Sequence, residues 1–447
     1  MVPTAFVDEG LGNSSYLVEL DGGRGLVVDP VRHPGAYVAE AERRGLEIAF
    51  AVETHLHADF VSGGRELAAL GAELLVPAAA GHEFPARGLA AGDEVSLGGL
   101  TLRALATPGH TPEHLAYLLL DGSSPIALFS GGSLLVDAVA RTDLIAPDET
   151  EPLARSLWRS LHDQVLSLPD DLPVYPTHGV GSFCSAPAGG ERTTTIGRER
   201  RANPLLAAPN EDAFVKQLLA GLGSYPPYFL RLRAVNRRGP HRYGPAAPVL
   251  PVLAPRHLRR LRGGGAWVVD VRPVEAFAAA HVPGSVSIPL RPEFASWLGW
   301  VVPDRAPVVF VLDRDQDRTE LVRQARNIGY EELLGELDGG LAAWRAGGHA
   351  VGSVPVVPVA AWTGAVIDVR LRAEFAAGHV PGSANVELGA ITEVDLTAGP
   401  VAVMCGHGER AMTAASLLAR GGRPDITVLT GGPGDWARHH RALDTGA

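Results

Sequence analysis

The feature that most limits how this chain can fold is that its C-terminal part repeats itself. Val268-Val269-Asp270-Val271-Arg272 returns as Val366-Ile367-Asp368-Val369-Arg370. Phe277 and His281-Val282-Pro283-Gly284-Ser285 return, at the same spacing, as Phe375 and His379-Val380-Pro381-Gly382-Ser383. Leu337-Asp338-Gly339-Gly340 running to Trp344 returns as Leu429-Thr430-Gly431-Gly432 running to Trp436. Self-similarity at about one domain's length means two copies of one fold. Each copy alternates short apolar strands with helical stretches, the pattern of a parallel sheet flanked by helices. The copies are expected at residues 256–350 and 354–447.

The two copies differ where their chemistry should lie. In the second, strand Val401-Ala402-Val403-Met404 runs into Cys405-Gly406-His407-Gly408-Glu409-Arg410, and a helix follows. A thiol at that place meets a ring of backbone N–H groups and the positive end of a helix, and both stabilise a thiolate. Cys405 is therefore the expected nucleophile. Gly406, His407, Gly408 and Glu409 form its loop, and Arg410 is placed to fix that loop or to hold an anion. The repeated signatures resemble those of rhodanese domains, which implies that Cys405 carries sulfane sulfur as a persulfide. In the first copy the matching loop is Asp313-Arg314-Asp315-Gln316-Asp317-Arg318. Asp313 cannot carry sulfane sulfur, so this copy is expected to be inactive, a spacer or docking surface.

A chain of 447 residues is too long for one core. Proline-rich stretches after Ser224 suggest a connector over residues 236–255, and hence a first domain over residues 1–235. That domain contains Thr54-His55-Leu56-His57-Ala58-Asp59-Phe60, directly after the strand-like run Ile48-Ala49-Phe50-Ala51-Val52. On an extended segment, period-two alternation sends His55, His57 and Asp59 to one side. Imidazole and carboxylate suit zinc, iron or manganese. Two further histidines sit at strand ends, His110 in Thr107-Pro108-Gly109-His110-Thr111-Pro112 and His178 in Tyr175-Pro176-Thr177-His178-Gly179. Two groups of strands with interspersed helices indicate an α/β layered fold.

These motifs, with Arg141-Thr142-Asp143-Leu144, run in the order of the metallo-β-lactamase superfamily, an αββα sandwich. The segment resembles most the persulfide dioxygenase branch, and the whole chain resembles bacterial persulfide dioxygenase–sulfurtransferase fusions. In that branch a mononuclear Fe(II) oxidises glutathione persulfide or a related thiol persulfide to sulfite. Carried over by position, its ligands would be His55, His110 and residue 132, with His57 as a further candidate and zinc as the alternative metal. Residue 132 is Gly132, however, so the expected carboxylate is missing. His57, Asp59 or His178 then completes the site, a substrate anion or water fills the gap, or the metal is lost. Phe60 stands where two-metal hydrolases of the superfamily have a second-site histidine, which disfavours a binuclear thioesterase. Cys184, in Gly179-Val180-Gly181-Ser182-Phe183-Cys184, reads equally as an inert buried thiol or, with Arg141 and Asp143, as part of a thiol site.

A formal charge of −11 argues against nucleic acid or an anionic membrane as the main partner. No apolar run is long enough to span a bilayer, Met1-Val2-Pro3-Thr4 lacks the basic and apolar regions expected of a signal peptide, and two distant cysteines fit an expected reducing cytoplasm. The expected partners are a low-molecular-weight thiol persulfide, sulfite or thiosulfate, and fusions of this type often form homo-oligomers. Three readings stay open at this level. One is persulfide oxidation coupled to sulfur transfer, the second a sulfurtransferase with a degenerate metal domain, and the third a non-enzymatic persulfide sensor or scaffold.

Overall fold

The structure is a computed structural model that describes residues 2–184, 190–244, 249–394, 401–423, 425–439 and 442–446. The chain divides into two compact units, residues 1–247 with 326–329, and residues 248–325 with 330–447. Residues 245–248, inside the expected connector, lie outside the described residues.

The first unit is built on two six-stranded sheets. One takes strands Thr4–Asp8, Asn13–Leu20, Arg24–Val28, Glu47–Val52, Glu73–Pro77 and Arg87–Leu89 in chain order. Its first three strands pair antiparallel, and the remaining pairs are parallel. The other runs Thr194–Thr195, Pro173–Pro176, Ser124–Gly131, Leu115–Asp121, Leu100–Ala106 and Glu94–Ser96. Side-chain alternation explains the layering. Tyr16, Val18 and Val28 enter the core shared with Leu102, Tyr117 and Phe129 of the facing sheet. Their neighbours Leu17 and Val27 pack instead with Tyr37, Ala41 and Leu67 of helices Gly35–Arg44 and Gly64–Ala69. On the far side, Leu118, Leu128 and Val174 meet Leu157, Ile196 and Phe214 of the helices Thr150–Ser160, Ile196–Ala202 and Glu211–Ala220. Helix, sheet, sheet, helix is the αββα sandwich expected.

The second unit holds two five-stranded parallel sheets with the same strand order. The first reads Val252–Leu253, Leu333–Leu337, Val308–Val311, Trp267–Asp270, Val286–Ser287. The second reads Val356–Pro358, Ile426–Thr430, Val401–Met404, Val366–Asp368, Ala384–Asn385. The repeated motifs are the braces of this fold. Arg272 bonds Asp270 through Nε (2.8 Å) and Nη2 (2.6 Å) and the carbonyl of Ala280, all buried. Arg370 does the same with Asp368 and the carbonyl of Gly378. His281 and His379 each donate Nδ1–H to the carbonyl four residues back (3.0 Å) and stack on Phe277 and Phe375. Carbonyls only accept, so these histidines are spoken for as structural donors. Among the described residues no helix is long and apolar enough to cross a membrane.

Candidate metal centre and thiol loop

The first site is organised from a residue that its motif does not contain. Strand Arg24–Val28 ends at Asp29, which sits at φ 49°. Its buried carboxylate accepts the N–H (2.7 Å) and hydroxyl (2.8 Å) of Thr54, and also the hydroxyl of Thr177. The ends of two neighbouring strands of one sheet and a strand of the facing sheet are thereby tied to one group. The tie turns the chain as soon as strand Glu47–Val52 stops, so residues 53–60 run as bends. The expected extended segment with period-two alternation is not what forms. His55, His57 and Asp59 reach one region because the chain folds around Asp29.

Three buried imidazoles then converge. Ligand atoms of His55, His110 and His178 all lie within 4.8 Å of one another. Their outer nitrogens decide which tautomer each adopts. Thr54 spends its proton on Asp29, so its hydroxyl accepts from His55 Nδ1 (2.8 Å). His110 Nδ1 donates to the carbonyl of Arg141 (2.7 Å). His178 Nδ1 donates to Asn13 Oδ1 (3.1 Å), and Asp59 Oδ2 lies at the same distance from it without bonding. Each ring therefore turns an Nε2 lone pair inward. His55 Nε2 and His178 Nε2 are 3.4 Å apart, and His110 Nε2 has no hydrogen-bond partner. Two lone pairs facing each other repel unless a cation lies between them. A 3.4 Å separation matches two nitrogens at about 2.0–2.1 Å from one tetrahedral metal. Burial, reinforced by the surrounding imidazoles, holds His55 and His110 well below the ordinary histidine range. Both are neutral at pH 7, the form that ligates. The donor set fits a single divalent metal.

His57 and Asp59 form a second set with His178, sharing that ring with the first. His57 Nε2 is already 3.2 Å from Asp29, which outweighs burial and raises the His57 pKa. Its ring stacks on Phe60 at 4.2 Å. Its Nδ1 has no hydrogen-bond partner, so His57 can serve only the second set, through that atom.

Gly132 leaves no cavity where a carboxylate was expected. A Cβ there would come within 2.5 Å of the His110 ring, while the Gly132 N–H donates to His114 Nε2 (2.9 Å). His114 Nδ1 in turn donates to Thr107 Oγ1 (2.7 Å), and burial lowers its pKa to about 4. His114 is thus a neutral strut with both nitrogens used. Asp29 and His114 carried no motif signal, since each acts through partners distant in sequence. Gly132→Ala is expected to destabilise the first unit by about 1–3 kcal/mol, because the ring must move. A lower urea midpoint for that unit is the measurement, and an unchanged midpoint contradicts the packing described.

Arg141 braces the same region. Its carbonyl holds His110, its N–H bonds the carbonyl of Cys184 (2.9 Å), and its guanidinium takes Asp143 at 2.7 and 2.8 Å. It also donates to the carbonyls of Phe183 and Gly223. Cys184 is fully buried, and burial together with Asp59 beside it pushes its thiol pKa well up.

In the second unit Cys405 is 1 % exposed, and the N–H of Gly408 meets its sulfur at 3.0 Å. Gly408, at φ 109°, turns the loop into helix Glu409–Arg420. Arg410 binds Glu374 with both terminal nitrogens (2.6 and 2.8 Å) and lies 5.3 Å from the centre of the Trp297 ring. Of its two expected roles, this geometry serves the fixing of the loop. Gly432 explains the second glycine of the repeated motif, since a Cβ there would meet the carbonyls of Gly406 and Cys405 at 2.8 and 3.0 Å. In the first copy the loop is filled by its own side chains. Gln316 accepts from the Asp313 N–H (3.0 Å) and donates to the Val271 carbonyl (2.7 Å). Arg318 turns onto the carbonyls of Asp313, Arg314 and Gln316.

Comparison with known proteins places each unit in a family. Residues 8–178 match the metallo-beta-lactamase superfamily, and residues 254–347 and 358–439 each match the rhodanese-like domain. The mitochondrial persulfide dioxygenase ETHE1 of Homo sapiens is 30% identical over 194 residues, 43% of this chain and 69% of that protein. A hydroxyacylglutathione hydrolase of Polaromonas sp. is 34% identical over 171 residues, 37% of this chain and 62% of that protein. A metallo-beta-lactamase structure from Staphylococcus aureus subsp. aureus COL superposes with TM-score 0.66 at 29% identity, covering 75% of this chain and 98% of that one. The chain belongs to the metallo-beta-lactamase superfamily, alongside the persulfide dioxygenases, and carries two rhodanese-like domains behind that domain. The persulfide dioxygenase and the hydrolase among its relatives are enzymes, and the combination of domains supports a place in sulfur metabolism.

Proposed function

We propose that the first domain oxidises a low-molecular-weight thiol persulfide to sulfite, and that Cys405 carries sulfane sulfur between small molecules, sulfite among them. The observation that carries the reading is the convergence of three buried imidazoles, His55, His110 and His178, on one point. In this reading His178 takes the place of the carboxylate absent at Gly132. Fe(II), when bound, supplies oxygen activation, which redox-inert zinc cannot. The protein's part is to orient the three rings through Thr54, the Arg141 carbonyl and Asn13. The overall conversion balances as persulfide, dioxygen and water giving thiol, sulfite and two protons.

At the second site the Gly408 N–H and the helix behind it favour an anionic sulfur on Cys405. A Cys405 persulfide attacked by sulfite at its outer sulfur would give thiosulfate and return the Cys405 thiolate. Keeping both sites on one chain raises the effective concentration of a reactive intermediate. A second reading, a sulfurtransferase with a vestigial metal domain, draws support from Gly132. Oxygen uptake matched by sulfite formation from a thiol persulfide separates the two. Uptake that equals sulfite supports the first reading, and its absence leaves the second.

A further inference from the structure

The degenerate copy contributes to a cavity that no motif accounts for. Glu275, Arg291 and Gln316 of that copy line about 270 Å³ of space together with His407 and Glu409 of the Cys405 loop. All five belong to the same compact unit. His407 and Glu409 flank Gly408, the residue whose N–H holds the Cys405 sulfur at 3.0 Å. One wall of the cavity and the sulfur's cradle are therefore the same loop. Arg291 sets Nη1 3.2 Å from Glu409 and Nε 3.5 Å from Glu293. A guanidinium carries five donors, so Nη2 remains for a ligand. Gln316 is held by its bonds to Asp313 and Val271 and forms a fixed wall.

The lining selects a chemistry. A bare inorganic anion would be repelled by two glutamates, and a wholly apolar thiol could pack on Val271, Val274 and Leu290 but would cover Arg291 and Glu275 without pairing them. A small molecule with both a carboxylate and an ammonium group can use Arg291 and Glu275 together. The volume is small beside the roughly 300–1,000 Å³ of pockets for drug-sized ligands, which points to a free amino-acid thiol. We propose that this cavity binds a zwitterionic amino-acid thiol as the acceptor of sulfane sulfur from Cys405, its carboxylate on Arg291 and its ammonium on Glu275. The proposal rests on the reading of Cys405 as the transfer nucleophile. In the step, the acceptor thiolate attacks the protonated outer sulfur of the Cys405 persulfide. A new S–S bond forms, the old one breaks, and its electron pair leaves on Cys405 as thiolate. The proton stays on the outer sulfur of the released persulfide.

Binding can be read without any turnover. Calorimetric titration of the full chain with S-methyl-L-cysteine, an unreactive analogue, is expected to show saturable binding. Arg291→Ala and Glu275→Gln should each weaken it about tenfold or more, and Arg314→Ala, outside the cavity, should not. In transfer assays from thiosulfate-loaded protein, the wild type should prefer L-cysteine to cysteamine and to 3-mercaptopropionate. Arg291→Ala should lose the first preference and Glu275→Gln the second. No binding by the wild type, or undiminished binding by both variants, overturns the proposal. Binding without transfer to any acceptor, cyanide included, would instead overturn the role given to Cys405.

Discussion

His178→Ala is expected to empty the first site of metal while leaving the fold intact. The variant removes one of three inward-facing nitrogens, and no side chain stands at Gly132 to replace it. Loss of a partner outside the ligand set commonly costs about 10–100-fold in metal affinity, so loss of a ligand should cost at least ~100-fold. Metal content after desalting should fall from near-stoichiometric to under about a tenth, and oxygen uptake should fall with it. His57→Ala provides the contrast. His57 lies outside the set of His55, His110 and His178, so metal content should drop far less. If His178→Ala and His57→Ala both lose the metal while His55→Ala keeps it, the set of His57, Asp59 and His178 is the working one.

Cys405→Ser is expected to abolish sulfur transfer, by a factor on the order of 10³ or more. A serine hydroxyl at the same place lacks both the acidity and the nucleophilicity of the thiol. The N–H of Gly408 and the Arg410–Glu374 pair would still shape the loop, so the variant should fold normally. Its oxygen uptake with a thiol persulfide should match the wild type, because the first site owes nothing to this sulfur. Cyanolysis of thiosulfate by the variant at wild-type rates would remove Cys405 from the mechanism.

The residues differ in how far their sequence neighbourhood announces them. The rhodanese-like copies were legible because their motifs are local. Asp368 and Arg370, or Phe375 and His379, bond to each other within a few residues, so spacing alone carries the structure. The Cys405 loop was legible for the same reason, as strand, loop and helix follow without interruption. The metal site was legible only in part. His55 and His110 stood out beside strands, whereas the part played by His178 depends on what fills position 132, which only packing decides. Asp29 and His114 were invisible because their partners are Thr54 and Thr177, or Gly132, brought together from separate strands. The alternation read into Thr54–Phe60 failed on that account, since a long-range hydrogen bond bends a segment that local pattern would leave straight.

The central claim, that the first domain works as a metal enzyme without a carboxylate at position 132, is tested most directly by one paired measurement. Metal analysis and oxygen uptake are made on the same sample of the full chain after anaerobic reconstitution with Fe(II), with a thiol persulfide as substrate. About one iron per chain, with oxygen consumed in step with sulfite formed, is the predicted result. Protein that retains no iron and consumes no oxygen, while Cys405 still transfers sulfur, would contradict it.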